Sequence, residues 1–383
     1  MMTYPSLANE KLVDVLRLIR TNNVGPVTFF QLLRRFGSAT SALEALPELS
    51  ARGGRKQAIS PFTAEEAEKE IEAAQAFGAH MIMYGMPEYP KLLHQIPDAP
   101  PVITVCGSTQ TWQDKESIAM VGARNASANG CQLAHKLARE LGEYGLLVTS
   151  GLARGIDSFA HKGALATGTV GVIAGGIDNI YPPENAALYQ QIRESGAIIS
   201  EQPFGSLPYS GSFPGRNRII AGMSSGTVVV EASPKSGSLI TARFALENNR
   251  EIFAIPGSPL DPRSKGCNQL IRQGAILVES AEDILHGTAN LRSLRMQETP
   301  PPGYLHEPSA MQQDDHELQE ARRLIIQKLG ITPVAVDVLI GQSEIASQAV
   351  ATVLLELELA GRLRRVAGNK VALAEMEEPL PVT

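Results

Sequence analysis

Residues 118–151 read IAMVGARNASANGCQLAHKLARELGEYGLLVTSG. A short run that is apolar throughout, IAMVG, gives way at a glycine to an amphipathic stretch, NGCQLAHKLARELGEYG, and then to a second apolar run, LLVTS. Strands apolar on both faces belong in a sheet covered on both sides, and a helical stretch between two of them is the crossover that parallel strands require. The unit is βαβ, and it recurs. DSFAHKGALATG fills the crossover after LLVTSG; VGVIAGG is followed by ENAALYQQIRESG, GTVVVEA by SLITARFALENN, EIFAIPG by CNQLIRQG, and AILVES by a last helix. This alternation over residues 80–290 predicts an α/β domain, a Rossmann-like doubly wound and mainly parallel sheet.

The flanks have a different period. In residues 1–79, NEKLVDVLRLIR places Leu12, Val15, Leu16 and Ile19 at helical spacing, TFFQLLRRFGSATSALEAL continues the pattern, and NNVGPV between them is a Gly-Pro turn. TAEEAEKEIEAAQAFG adds an exposed helix. Two helices on a tight hairpin fit a plain helical bundle and also a nucleic-acid helix-hairpin-helix. MQETPPPGYLHEPSAMQQDD is rich in Pro, Gln and acidic residues without periodicity, so 291–315 is expected to be a flexible linker. In 316–383, three helical patterns precede RLRRVAGNKVALA, two short strands around a Gly-Asn turn, which predicts a winged-helix domain. Its expected recognition helix carries Glu344, Glu356 and Glu358, and only Arg362, Arg364, Arg365 and Lys370 near the wing suit phosphates. DNA reading and protein docking both fit that pattern.

A chain of 383 residues has room for two or three domains. No stretch approaches the ~20 uninterrupted apolar residues of a membrane span, and the N-terminus lacks a signal-peptide layout, so no membrane partner and a cytoplasmic location are expected. Cys106, Cys131 and Cys267 are far apart and have no metal-ligand spacing; they are expected to be buried thiols, with neither disulfide nor zinc site. A net charge of -6 means that any anionic partner must be met by a local basic surface.

In an open parallel sheet, ligands bind at the carboxyl ends of the strands. The loops there run Gly122-Ala123-Arg124-Asn125, Gly151-Leu152-Ala153-Arg154-Gly155, Gly175-Gly176 and Lys235-Ser236-Gly237-Ser238. Glycine lets backbone amides approach an anion, arginine offers a forked donor and hydroxyls complete the cradle, so the set favours phosphate or another anion. The sharpest feature is GSFPGRNRIIAGM, 211–223, with Arg216 and Arg218 after a Phe-Pro-Gly turn. At the start of a helix, cations meet the positive end of the dipole, which an adjacent anion would offset. The bland alternative pairs one or both arginines with Glu201 or Glu231 inside the fold. Phe213 fits either the core or a stacking surface for a base. His161 and Asp157 share a helix face rather than form an acid–base dyad, and no GxSxG, Walker, GxGxxG or metal-ligand pattern occurs, so no catalytic residue, cofactor or metal is expected.

VGARNAS, TSGLARGIDSFAHKGAL, GGIDNIYPPEN, the long run SEQPFGSLPYSGSFPGRNRIIAGMSSGTVVVEASPKSGSLITARFALENNREIFAIPG and GCNQLIRQGA together resemble the DprA (Smf) family of bacterial DNA-processing proteins. The resemblance is dense over 80–287, and the flanks fit that family's sterile-alpha-motif-like N-terminal domain and C-terminal winged helix. It implies a non-enzymatic, dimeric protein that binds single-stranded DNA, protects incoming strands in natural transformation and loads RecA onto them. The family's groove carries over to Gly122 and Arg124, to Phe213, Arg216, Asn217 and Arg218, and to Ser236, Gly237 and Ser238. It extends to Gly151, Arg154, Tyr181, Asn185 and Lys235. GCNQLIRQGAILV is the candidate dimer face, although Ile271 and Leu277 in it fit the core equally well. Two departures stand out: Pro183 and Glu184 occupy YPxxN where many members carry a lysine, and Ser212 replaces a histidine before Phe-Pro. The rival is a nucleoside monophosphate phosphoribohydrolase similar to the LOG family. Its PGGxGTxxE pattern is only partly kept in GMSSGTVVVEA, where Glu231 falls one residue late.

Overall fold

The computed structural model describes residues 4–297 and 315–374, apart from positions 56, 58, 344 and 367. The chain forms two compact units, one of residues 1–9 and 68–300, the other of 10–67 and 301–383. The sequence divides the chain by order; in space, the helical N-terminal segment and the winged helix share a unit.

The first unit is built on nine strands: β1 Ala79–Met83, β2 Val102–Gly107, β3 Ser117–Val121, β4 Leu147–Ser150, β5 Thr169–Val172, β6 Ala197–Ser200, β7 Gly226–Val229, β8 Glu251–Ala254 and β9 Ile276–Leu277. Their order is β1-β2-β6-β5-β4-β3-β7-β8-β9. From β6 to β9 every pairing is parallel, while β2 joins β6 and β1 joins β2 antiparallel. The mainly parallel, Rossmann-like sheet is thus as the sequence predicts, with an antiparallel edge that the βαβ pattern does not announce. Strand β6 also escapes that pattern, because only Gly196 separates it from the helix Ala186–Ser195.

Strands β3 to β6 are laid down in one direction, and β7 then returns to the other side of β3. This reversal is a topological switch point, and the loops leaving β3 and β7 part there to open a crevice. Helices Ala128–Glu143 and Ile156–Ala164 pack Ala134, Leu137 and Ala160 onto Ile118, Met120 and Val148. A second cluster joins Leu188 and Ile192 to Ile173 and Ile198. Each such fully buried aliphatic side chain contributes roughly 1.5–3 kcal/mol, which holds the strand ends rigidly beneath the loops. All three cysteines are buried free thiols, and burial pushes Cys267 up to about 12.

Two boundaries differ from the sequence reading. The helix bearing the arginines runs Ser212–Gly222, so Phe-Pro-Gly is its first turn rather than a turn before it. Proline fits there because the first amides of a helix have no intrahelical acceptor. The last helix of this unit, Ala281–Gln297, continues into the stretch read as linker; the rest of that linker, 298–314, lies outside the described residues.

In the second unit, helices Leu12–Arg20, Pro26–Phe36 and Ala39–Arg52 form the N-terminal bundle, with Gly37 at φ 82° ending the second. Helices Asp315–Lys328, Val336–Ser343 and Ser347–Leu359 enclose Leu318, Ile325, Val353 and Leu354 and carry a small sheet. Its strands are β10 Val334–Ala335, β11 Leu363–Val366 and β12 Lys370–Leu373, in the order β10-β12-β11. Gly368 and Asn369 turn between the last two with φ of 82° and 53°, the left-handed pair that a tight hairpin needs. Among the described residues no helix is long and apolar enough to cross a membrane.

Candidate nucleic-acid interface

The crevice at the switch point is a groove of about 890 Å³ reached by the loops after β3, β4, β5 and β7. Of the residues expected at the site, Gly122, Arg124, Gly151, Arg154, Tyr181, Phe213, Arg216, Asn217, Ser236, Gly237 and Ser238 line it; Asn185, Arg218 and Lys235 do not. Three helices begin at its wall, at Ile156, Ser212 and Ser238, and their first amides make the wall electropositive.

Arg216 and Arg218 part company. Arg216 is 7% exposed on the groove floor, where its Nη1 donates to the carbonyl oxygens of Gly151 and Val172, the latter at 2.7 Å, and its Nε to Asn217 Oδ1 at 3.2 Å. Burial pulls its guanidinium down to about 10, against the stabilising charge of Asp157, so it remains a cation at neutral pH. Arg218, two residues on, points into the protein, where its Nη2 bonds Glu201 and its Nε lies 3.5 Å from Asp98. Glu231 takes part with neither arginine: it accepts from the amide of Ser127 at 2.9 Å and from its hydroxyl.

Arg124 is an exposed cation of the site, and its guanidinium lies 5.2 Å from the ring centre of the half-buried Phe213. Tyr181, 48% exposed, sits 5.9 Å from the same ring on its other contact. A cation and two aromatic faces thus stand together at the rim, the combination that holds phosphates and stacks bases. Arg154 is exposed too, but it is ion-paired with Glu184, the residue that departs from the family pattern. Ser236 and Ser238 share a hydroxyl hydrogen bond of 2.7 Å, and Asn217 Nδ2 reaches Gly237 O at 3.4 Å, which ties the β7 loop to the arginine helix.

The residues off the wall have other tasks. Asn185 is buried and donates to Leu152 O at 2.8 Å and to Ala153 O at 3.3 Å, fixing the β4 loop from behind. Lys235 is exposed on the turn closed by Ser236 N to Ser233 O, outside the groove. Gly151 also has a use that its residue type alone does not disclose: a Cβ there would lie 2.3 Å from Arg216 Nη1, so the glycine makes room for the guanidinium.

Sequence reasoning missed Asp157 as part of the wall. It is buried at the start of the helix Ile156–Ala164 and accepts from Ala153 N at 3.4 Å. Burial raises its carboxyl above the usual range, while Arg216 and the amides of Ala153 and Gly151 draw it back. His161, its expected helix-face neighbour, instead bonds Thr169 Oγ1 at 2.9 Å. Asn179, Ser233, Thr241 and Arg263 also line the groove, and the signal for Ser233 is its place in the loop after the apolar run GTVVVEA, ahead of Lys235 and Ser236. No cluster among the described residues has the composition of a metal site.

Residues 80–289 match the sequence model of the DNA recombination-mediator protein A family, 9–73 that of a DprA-like N-terminal HHH domain, and 308–369 that of the DprA winged helix domain. The chain belongs to this family. Among its relatives, Protein Smf of Synechocystis sp. is 31% identical over 95% of this chain and 99% of its own length. The crystal structure of DNA processing protein A from Streptococcus pneumoniae superposes with a TM-score of 0.60 at 32% identity, covering 72% of this chain and 98% of that one. A structure of the Helicobacter pylori DNA processing protein A, determined for its single-stranded DNA binding mode, gives 0.51 at 28% identity over 56% of this chain and 96% of that one. The HHH assignment also decides the N-terminal segment between the two alternatives left by its sequence, as a matter of fold.

Proposed function

We propose that this chain binds single-stranded DNA in the switch-point groove and hands the strand to a RecA recombinase during recombination and natural transformation. The observation that carries the reading is the rim: Arg124 held over Phe213, with Tyr181 alongside, above a floor made cationic by Arg216. Backbone phosphates pair with Arg124 and with the amides opening the helix at Ser238, while Phe213 and Tyr181 offer faces to unstacked bases. Duplex DNA keeps its bases stacked and cannot use those faces, so the groove prefers single strands with little regard for sequence. The family's description as a recombination mediator supports the RecA step.

The same reading includes a homodimer. Strand β9 is the sheet's edge, Leu277 on it is 45% exposed, and an unpaired edge with an apolar side chain suits a second copy. Catalysis is not part of it, since Glu231, the carboxylate that a phosphoribohydrolase would need, is spent on Ser127 and does not line the groove.

The test is fluorescence anisotropy of single- and double-stranded oligonucleotides across a salt series, with base release from nucleoside monophosphates assayed in parallel. The expected result is salt-sensitive binding of single strands, weaker binding of duplex and no base release. Turnover of a nucleoside monophosphate, or equal affinity for both forms of DNA, overturns it.

A further inference from the structure

The second unit contains an interface that neither the DNA groove nor the family assignment explains. In a winged helix the helix before the wing is the one that enters the major groove, so its outward face must be bare. Here that helix is Ser347–Leu359. Ala349, Val350, Val353, Leu354 and Leu357 face the domain's own core. Thr352, Leu355, Glu356 and Leu359 lie at the i, i+3, i+4 and i+7 positions of a different face, and they too are buried, Leu355 at 3% and Glu356 at 0% exposure.

The N-terminal bundle packs on that face, while the Glu356 carboxylate within it is held by Arg322 of the winged helix's own helix Asp315–Lys328. The helix Ala39–Arg52 packs against the face, and Gly53, at that helix's end, sits so close that a Cβ would lie 2.0 Å from Glu356 O and 2.8 Å from Ala360 Cβ. Gly53 has φ -69°, which any residue adopts, so the absence of a side chain serves the approach and not the backbone. The hairpin between the first two helices contributes as well: Asn23 Nδ2 donates to Leu359 O at 3.2 Å, capping an end carbonyl of the recognition helix. Two of the wing's arginines are engaged in the same contact, Arg362 with Gly53 O at 3.4 Å and Arg365 with Gln31 Oε1 at 3.1 Å. Arg365 also holds Glu358 at 2.8 Å.

We propose that the winged helix of this chain is a protein-docking module whose partner is the chain's own N-terminal helical bundle, and that its recognition helix is closed to duplex DNA while the two are docked. The carboxylates of this helix are engaged inside the fold and are not held out toward a duplex: Glu356 is ion-paired with Arg322 of the winged helix itself and Glu358 with Arg365. The inference is independent of the groove of the first unit.

Thiol labelling of the full-length protein tests it, because the native cysteines are buried. Leu355→Cys is compared with Val338→Cys, which replaces a side chain 44% exposed on a neighbouring helix. The expected result is maleimide labelling of Leu355→Cys slower by about tenfold or more, and a rise by a similar factor when Gly53→Leu is added as a wedge. Labelling of Leu355→Cys within about twofold of Val338→Cys overturns the proposal even if the wedged protein fails to fold. So does a folded wedge variant that leaves the rate unchanged.

Discussion

At the scale of the residue, the two arginines of GRNR show what a sequence discloses and what it withholds. The nearby acids offer an inward partner to either arginine, but they do not say which takes it: at positions five and seven of their helix, Arg216 and Arg218 diverge by about 200° around the axis, and only the packing of the helix on the sheet decides which side faces in. Arg216 is a poor subject for a simple deletion, because its loss strips two buried carbonyls of their donor. Arg124 is the cleaner one, exposed and joined to the fold through the Phe213 ring. Arg124→Ala is expected to weaken single-stranded DNA binding and to lower the slope of log K against log salt by about 0.7, with stability unchanged to within about 0.5 kcal/mol. Glu184 acts in the opposite sense, since its carboxylate neutralises Arg154 beside the groove. Glu184→Gln should therefore tighten binding at low salt, and Glu184→Lys should tighten it further and steepen the salt dependence. A weaker complex in both variants would show that Arg154 needs Glu184 for its position more than it needs freedom from it.

At the scale of the element, the alternation of apolar runs and amphipathic stretches located most helices of the sheet domain and six of its strands, because each crossover is separated from its strands by a visible turn. It failed where the turn shrinks to one residue, as at Gly196 before β6, and where pairing is antiparallel, as in β1 and β2. Glycines were legible as loop markers but not as to their purpose. Gly155 stands at the start of the helix Ile156–Ala164 with φ 72° and ψ -130°, and a Cβ would lie 2.2 Å from Ala123 O and 2.6 Å from Arg124 O. It clamps the β4 loop onto the loop that carries Arg124. Gly155→Ala is expected to cost about 2 kcal/mol or more and, by displacing Arg124, to weaken DNA binding as well. Gly215 is the control: it lies inside the helix Ser212–Gly222 with nothing within 4 Å of a Cβ, so Gly215→Ala should stabilise by about 0.4–1 kcal/mol. Thermal melts of the two variants, expected to move in opposite directions, separate a glycine required by geometry from one that is merely present.

At the scale of the whole molecule, nothing in a linear pattern announces that residues 10–67 and the winged helix share a compact unit, since their meeting depends on side chains more than 300 positions apart, such as Asn23 and the carbonyl of Leu359. Because the chain has two units, a stability measurement must report on one of them, and Trp112, the single tryptophan, does so for the sheet domain. That domain contains a pH-dependent element in His161. Thr169 gives its hydroxyl hydrogen to Val148 O at 2.6 Å, so it accepts from His161 Nδ1–H, and burial together with the charge of Arg216 pulls the imidazole from 6.5 down to about 3. Between those values the unfolded chain binds a proton that the folded domain refuses. The contribution of the neutral ring is thus complete above 6.5 and is lost as pH falls through 6.5 toward 3, at no more than about 1.4 kcal/mol per pH unit. Asp157, with its carboxyl raised by burial, works in the opposite direction, so the informative quantity is the difference between the wild type and His161→Gln rather than either curve alone. Urea titrations followed by Trp112 fluorescence should show the wild type losing about 1.5–2 kcal/mol more than His161→Gln between pH 6.5 and 5, where most other carboxylates remain ionised. Parallel curves for the two proteins would mean that the ring takes up its proton without disturbing the fold.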